Sequence, residues 1–488
     1  MQTGSIKKNF IMNAILTLSS FIIPIITFPY VSRILGPSGT GKVAFATSFV
    51  TYFNTFAQLG IPTYGVRATA QVRDDKLELT RVTHELLIIN LVTSIVAYIA
   101  LGASIIFSQR IYEDRELILL VSSLILLSAI GVEWLYRGLE QYTYITVRSL
   151  VFKVIAIVGM FLLVKSENDY LMYGGVSIFA SSASFVMNFF HARKYVSFKP
   201  VGGYKFRRHL NAVMVFFAMS CATTIYTNLD SVMLGFMSTD AEVGFYNAAV
   251  KVKNILVSMV TALGAVLLPR SSYYVENGQM EQFYDVSKKA LRFVLAAAAP
   301  LSLFFALFAH EGIMFLSGPL YNDAGRPMQI VMPTVLLIGL TNILGIQMLV
   351  PIGRERVVLK SEVFGAIADL ILNAMLIPTY KATGAAVGTL MAEIVVLVVQ
   401  YVELRDMVRD FFRRYRWGRL MVGLIIATLS CYWTKSLGLK SYWTLACAGT
   451  IFFGVYYLFM LIRKEEIALE VKGIVLRGVE RLGRRRRT

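Results

Sequence analysis

Residues 10–34 read FIMNAILTLSSFIIPIITFPYVSRI, a run whose single charged side chain is Arg33. A hydrocarbon core about 30 Å thick is crossed by ~20 residues of helix, so this run is long enough to span it. It is too long for the core of a signal peptide, and no small-x-small cleavage site follows it. Lys7 and Lys8 stand just before it. It therefore reads as an uncleaved first span.

The same reading extends over the whole chain. Of 488 residues, 56% are hydrophobic and 16% charged, and the mean hydropathy is +0.62. Soluble domains run near 45–50% apolar and about 25% charged. A water-soluble enzyme, a disordered chain and a secreted disulfide scaffold are all excluded. Cys221, Cys431 and Cys447 are far apart in apolar segments, without the spacing of a metal or disulfide framework.

Hydropathy and helix breakers place spans near 10–34, 42–64, 82–108, 116–137, 146–165, 170–192, 210–236, 244–270, 288–317, 327–352, 357–378, 383–403, 418–436 and 442–462. Fourteen is even, so both termini share a side. Loops on that side, with both tails, carry 36 of the 48 Lys and Arg, against nine on the opposite side. The positive-inside bias makes the termini cytoplasmic. The net charge of +18 then faces anionic lipid, and nucleic acid is not implied.

Weak matches in constant order indicate an internal repeat. Ser32-Arg33-Ile34-Leu35-Gly36 resembles Ser231-Val232-Met233-Leu234-Gly235, and Gly41 to Ala46 parallels Ala241 to Tyr246. Arg67, Val72 and Glu78 match Arg270, Val275 and Glu281 at one offset, and Gly138-Leu139-Glu140 echoes Gly353-Arg354-Glu355. Six spans per copy make the two copies parallel, a transporter layout with the substrate path between the halves. The expected fold is all-α and polytopic: two parallel six-helix repeats forming a V-shaped transporter, plus two extra C-terminal helices. The expected divisions are 1–200, 201–404, 405–463 (an interfacial helix with spans thirteen and fourteen) and 464–488, a basic cytoplasmic tail. In 404–419, Met407, Val408, Phe411, Phe412 and Tyr415 recur at helical spacing among arginines, as in a helix lying in the interface. The tail repeats the pattern with Ile467, Val471, Ile474, Val475, Val479 and Leu482, ending in Arg484 to Arg487.

Gly36-Pro37-Ser38-Gly39-Thr40-Gly41-Lys42-Val43 nearly spells a phosphate-binding loop, but Val43 replaces the Mg²⁺-coordinating Ser/Thr and no strand precedes it. It reads as a turn between two spans. His84, His191, His209 and His310 are scattered, and no nucleophile or acidic pair stands at catalytic spacing, so the chain is not expected to be an enzyme and no cofactor or metal is expected.

Charge inside the membrane remains. An ionised group at bilayer centre costs about 2.5–3.5 kcal/mol on insertion scales, so such groups face a cavity or a partner. Glu133 and Arg137 are four apart and can pair along one helix, and Lys153 lies in span five. Arg33, Lys251 and Lys253 are the candidate cationic cavity, holding an anion. Arg67 and Arg270, related by the repeat, would attract it at the cytoplasmic entrance. Asp230, Asp369 and Glu393 are candidates for coupling or gating.

The run Phe28-Pro29-Tyr30-Val31-Ser32-Arg33-Ile34-Leu35-Gly36-Pro37, with Gly41, Leu59-Gly60, Arg67, Leu234-Gly235 and Val243-Gly244-Phe245-Tyr246-Asn247-Ala248-Ala249, resembles the bacterial polysaccharide-repeat-unit flippases. These belong to the multidrug/oligosaccharidyl-lipid/polysaccharide (MOP) superfamily. The resemblance covers essentially the whole chain in repeat layout and length. It implies export of an undecaprenyl-pyrophosphate-linked oligosaccharide for O-antigen, capsule or a similar polymer. It also implies a cell-membrane location, with polysaccharide polymerase and chain-length proteins as neighbours. Of the cavity residues it carries over only Arg33. Energy coupling stays open between an H⁺ or Na⁺ gradient, the membrane potential and consumption of the product. A peptidoglycan-precursor flippase, a multidrug cation antiporter of the same superfamily and a non-transport scaffold stay open as alternatives.

Overall fold

The computed structural model describes residues 6–469 together with 472 and 473, and no strand occurs among the described residues. Of the tail expectation, Val471, Ile474, Val475, Val479, Leu482 and Arg484 to Arg487 lie outside the described residues. In a hydrocarbon solvent every backbone N–H and C=O must be satisfied within its own segment, and helices do this.

The chain starts with α1 (Ile6–Gln58), α2 (Ile61–Val72), α3 (Lys76–Phe107) and α4 (Gln109–Glu113). It goes on through α5 (Arg115–Ile130), α6 (Glu133–Gly138), α7 (Tyr142–Leu163), α8 (Tyr170–Ile178) and α9 (Ser184–His191), the last two joined by a π-turn at Phe179–Ala183. Next come α10 (Arg207–Met237), α11 (Asp240–Glu276), α12 (Met280–Leu307), α13 (Ala309–Ser317), α14 (Gly325–Val331) and α15 (Thr334–Thr341). The series ends with α16 (Glu355–Glu403), α17 (Arg405–Arg414), α18 (Trp417–Tyr432) and α19 (Ser441–Ile462).

Among the described residues ten helical runs are long and apolar enough to cross a membrane, or up to twelve if two bent pairs each count as one span. Fourteen were expected from hydropathy. The difference falls on α1 and α16, 53 and 49 residues long, each made of two helices that meet at a kink where hydropathy placed a loop between two spans. In α1 the expected turn shrinks to one residue, Gly36, with φ 64° and ψ −176°. Pro37 disfavours helical backbone in the residue before it, and a glycine takes positive φ without a Cβ penalty. In α16 the break is at Lys381, with φ 51°. A non-glycine residue pays about 1–3 kcal/mol for so sparsely populated a backbone conformation. Here Glu242 offsets it, accepting the Ala382 N–H at 3.2 Å and lying 3.6 Å from the Lys381 ammonium.

The helices gather into two compact units. The first holds residues 1–247 and 373–382, the second 248–372 and 383–488. In the first, Ile61, Leu79, Leu86, Trp134, Leu135 and Tyr136 form a core where α2, α3 and α6 meet. Val31, Leu35, Met160 and Val164 form a smaller one. In the second, Phe304 of α12 and Phe308 just beyond its end pack with Leu424, Cys431, Phe452 and Tyr456 of α18 and α19. Away from these cores, Ile95, Ile99 and Ile106 of α3 are exposed, as suits side chains whose solvent is lipid.

Candidate functional site

In the first unit Asp230 of α10 is 4% exposed. Its carboxylate accepts the Tyr246 hydroxyl and, at 2.7 Å, the Asn373 amide. Next to this pair in the chain, Asn247 donates to the Ser231 hydroxyl at 3.1 Å and to the Val243 carbonyl at 2.9 Å. The carboxylate is thus tied to donors on two other helices, α11 and α16. Sequence reasoning found Asp230 and missed Tyr246, Asn247 and Asn373. Asn373 stands four residues after Asp369, on the same face of α16, and that spacing was a usable signal.

The other expected residues have these places. Arg33, in the first unit, is exposed and folds its guanidinium back onto the Pro29 carbonyl. Arg67 is exposed on α2. Lys251 and Lys253 are half-buried on α11 in the second unit, and Asp369 and Glu393, 2% and 4% exposed, are on the part of α16 belonging to that unit. Arg270 is exposed and donates to the Tyr274 hydroxyl at 2.8 Å. Glu133 and Arg137 pair at 2.6 Å, as their spacing suggested. Arg148, which hydropathy hid inside span five, is buried 3.8 Å from the same Glu133. Lys153 donates to Ser19 at 2.8 Å and Ser20 at 3.0 Å.

Two ionic networks of the first unit escaped sequence reasoning altogether. At the Gly36 end, Arg110 donates to Asp114 at 2.8 Å, to the Gly235 carbonyl at 2.9 Å and to Asp240, while Lys42 lies 3.8 Å from Asp114. The glycines of the near P-loop have their use here. A Cβ on Gly41 would sit 1.7 Å from the Asp240 carbonyl oxygen, and one on Gly244 would sit 2.1 Å from that of Pro37. The start of α11 and the second half of α1 therefore touch backbone to backbone, and the ion pairs fasten the same seam. At the far end of α3, Glu85 is fully buried and accepts from Arg208 at 2.6 Å, from His209 at 2.7 Å and from the Lys205 N–H. Arg208 also reaches Glu78, and the Tyr64 hydroxyl meets His209 at 2.7 Å. This network clamps the connection that leads into α10. Among the described residues no group of three or more His, Cys, Asp or Glu is placed to hold a metal ion.

With this geometry in hand, the chain can be set beside known proteins. A protein of Escherichia coli (strain K12) named "Putative O-antigen transporter" is 24% identical over 407 residues, covering 82% of this chain and 97% of that protein. The solved structure of the lipid II flippase MurJ superposes with a TM-score of 0.74 at 15% identity, over 94% of this chain and 99% of its own. An inward-facing multidrug resistance MATE family transporter of the MOP superfamily follows at 0.59 and 14% identity, over 83% and 99%. At such identities the two structures establish a shared helical fold and nothing further. The family model described as polysaccharide biosynthesis protein matches residues 6–275, more than half of the 488. The chain thus belongs to the polysaccharide biosynthesis protein family.

Proposed function

We propose that the chain is a flippase that moves undecaprenyl-pyrophosphate-linked oligosaccharide repeat units across the bacterial cytoplasmic membrane for O-antigen, capsule or related polymers. The observation that carries this reading is the likeness to the E. coli protein, which runs through 97% of that protein's length. The fold shared with a lipid II flippase supports it, because that protein's named cargo is also lipid-linked.

The physics of the cargo fits. Unpaired charge in hydrocarbon costs far more than thermal energy supplies, so a pyrophosphate with its sugars needs a wet, cationic passage while the polyprenyl tail stays in the bilayer. Arg33, Lys251 and Lys253 are assigned to hold the pyrophosphate, and Arg67 and Arg270 to attract it at the cytoplasmic entrance. Asp230, Asp369 and Glu393 are assigned to coupling with an H⁺ or Na⁺ gradient. For Asp230 the support is its burial and its bonds to Tyr246 and Asn373. The parallel six-helix halves, 1–200 and 201–404, would rock in alternating access, with 405–463 and the basic tail 464–488 appended. Both termini are placed in the cytoplasm by the charge bias. A polymerase and chain-length proteins would receive the product. No catalytic step is assigned.

The test replaces Lys251 and Lys253 by alanine and measures lipid-linked oligosaccharide reaching the outer leaflet. Loss of about tenfold or more is expected, since each ion contact to a pyrophosphate is worth ~1.5–3 kcal/mol. Unchanged flipping removes the lysines from the mechanism, and drug efflux by the intact protein in vesicles would replace the flippase reading altogether.

A further inference from the structure

In the second unit a cavity of about 560 Å³ opens between α12, α17, α18 and the end of α19. Six cations line it (Lys288, Arg292, Arg414, Arg416, Arg419 and Lys464) against three carboxylates. Two of the carboxylates are spent internally: Glu466 pairs with Arg292 at 2.6 Å and Glu465 with Arg419 at 2.9 Å. Lys288, Arg414, Arg416 and Lys464 form no ion pair among the described residues, and Asp410 is the only carboxylate of the lining left to face them. A cavity with a surplus of unpaired cations calls for an anion.

Its neighbour tells what kind. A second cavity of about 210 Å³ shares Arg292, Tyr415, Met460, Glu465 and Glu466 with the first, and is otherwise walled by apolar and aromatic side chains, among them Phe293, Ala296, Ala297 and Tyr457. One end of the pair is charged and the other oily, as in a phospholipid. The depth agrees. α17 buries Val408 and Phe411 and leaves Arg409, Arg413 and Arg414 exposed, the pattern of a helix lying at the headgroup level.

Two local features fit the same use. Lys464 has φ 54° at the C-terminus of α19, where the Glu465 N–H reaches back to the Met460 carbonyl at 3.0 Å. Helices usually end this way on glycine, which takes left-handed backbone freely. A lysine there keeps a cation on the cavity wall at a conformational cost. Burial, with the nearby Glu465 carboxylate, pushes the Tyr415 phenol up to about 12, so it stays a neutral O–H donor at physiological pH.

We propose that the paired cavities bind one anionic glycerophospholipid of the cytoplasmic leaflet, its phosphate on Lys288, Arg414 and Arg416 and an acyl chain along Ala296, Ala297 and Tyr457. The chain's own C-terminus is the wrong sign to fill the charged half, since residues 470–488 hold seven Lys and Arg and two Glu. The site stands apart from the flippase reading, since nothing in it depends on the exported cargo.

The test is native mass spectrometry of the full-length protein in neutral detergent, titrated with phosphatidylglycerol, phosphatidylcholine or inorganic phosphate. One phosphatidylglycerol per chain should be retained and phosphatidylcholine should not. The triple variant Lys288→Gln/Arg414→Gln/Arg416→Gln should bind about tenfold more weakly or worse, each lost basic contact weakening an anionic lipid. Ala297→Trp, which fills the oily half and leaves every cation in place, should also lose the lipid. Lys464→Gly relieves the strained backbone while removing a cation, so it should fold at least as well as the parent and still bind more weakly; it serves if the triple variant does not fold. Equal retention by parent and variants overturns the proposal. So does full displacement of lipid by millimolar phosphate, which would make this a free-anion site. Oligosaccharide export is not read, so either result leaves the flippase assignment where it was.

Discussion

Asp230 shows how one residue can be read twice. Its sequence position says only that a carboxylate lies within an apolar segment, where an unpartnered charge is expensive. The structure adds the Tyr246 hydroxyl and the Asn373 amide. Asp230→Ala takes the shared acceptor from both donors, at a cost of about 1–3 kcal/mol, and should lower the melting temperature in detergent by several degrees. Asp230→Asn keeps an acceptor oxygen and removes the charge. Its melting temperature should stay near that of the parent, while transport in vesicles loses its response to an imposed H⁺ or Na⁺ gradient. Retained gradient response in Asp230→Asn would strike this residue from the coupling group.

At the scale of elements, apolar runs are legible because a bilayer demands ~20 residues of them, but their breaks are not. Hydropathy placed a loop at 35–41 and another at 379–382. The loops shrink to kinks at Gly36 and at Lys381, where one helix gives way to the next across a single non-helical residue. The glycine-rich stretch 36–43 was legible as something other than a phosphate loop. Its purpose was not, since the Asp240 and Pro37 carbonyls that crowd Gly41 and Gly244 belong to segments some two hundred residues apart. Gly41→Ala or Gly244→Ala would press a methyl group into a backbone oxygen that cannot rotate away. Each should destabilise the protein by about 1–3 kcal/mol, the range for overpacking a tight contact. The matched control, Gly102→Ala, meets nothing within 4 Å and should be neutral or slightly stabilising, as a helical glycine replaced by alanine usually is. Equal melting temperatures for Gly41→Ala and Gly102→Ala would show that the seam is not closed in solution.

Over the whole molecule, the lysine and arginine bias predicts orientation. A reporter active only in the cytoplasm, fused after Thr488, should be active, and one inserted between Leu437 and Ser441 should be silent. A cysteine at the exposed Lys381 should be labelled from outside by an impermeant maleimide, in a chain whose Cys221, Cys431 and Cys447 have been replaced. The opposite pattern would invert the topology and move Arg67 and Arg270 to the exit.

The sequence by itself determined the solvent, the element type and the orientation bias. These follow from local quantities: apolar length, breaker residues and the sum of charge in each loop. A bilayer leaves a long apolar chain little besides helix. It also marked Arg33, Lys251, Lys253, Asp230, Asp369 and Glu393 as charges that must have a purpose. Only the tertiary structure decided which groups meet. Glu85 with Arg208 and His209, Arg110 with Asp240, and Asp230 with Asn373 are each more than a hundred residues apart. Their pairing depends on the rotation and depth of separate helices, and a one-dimensional hydropathy pattern carries no information on either.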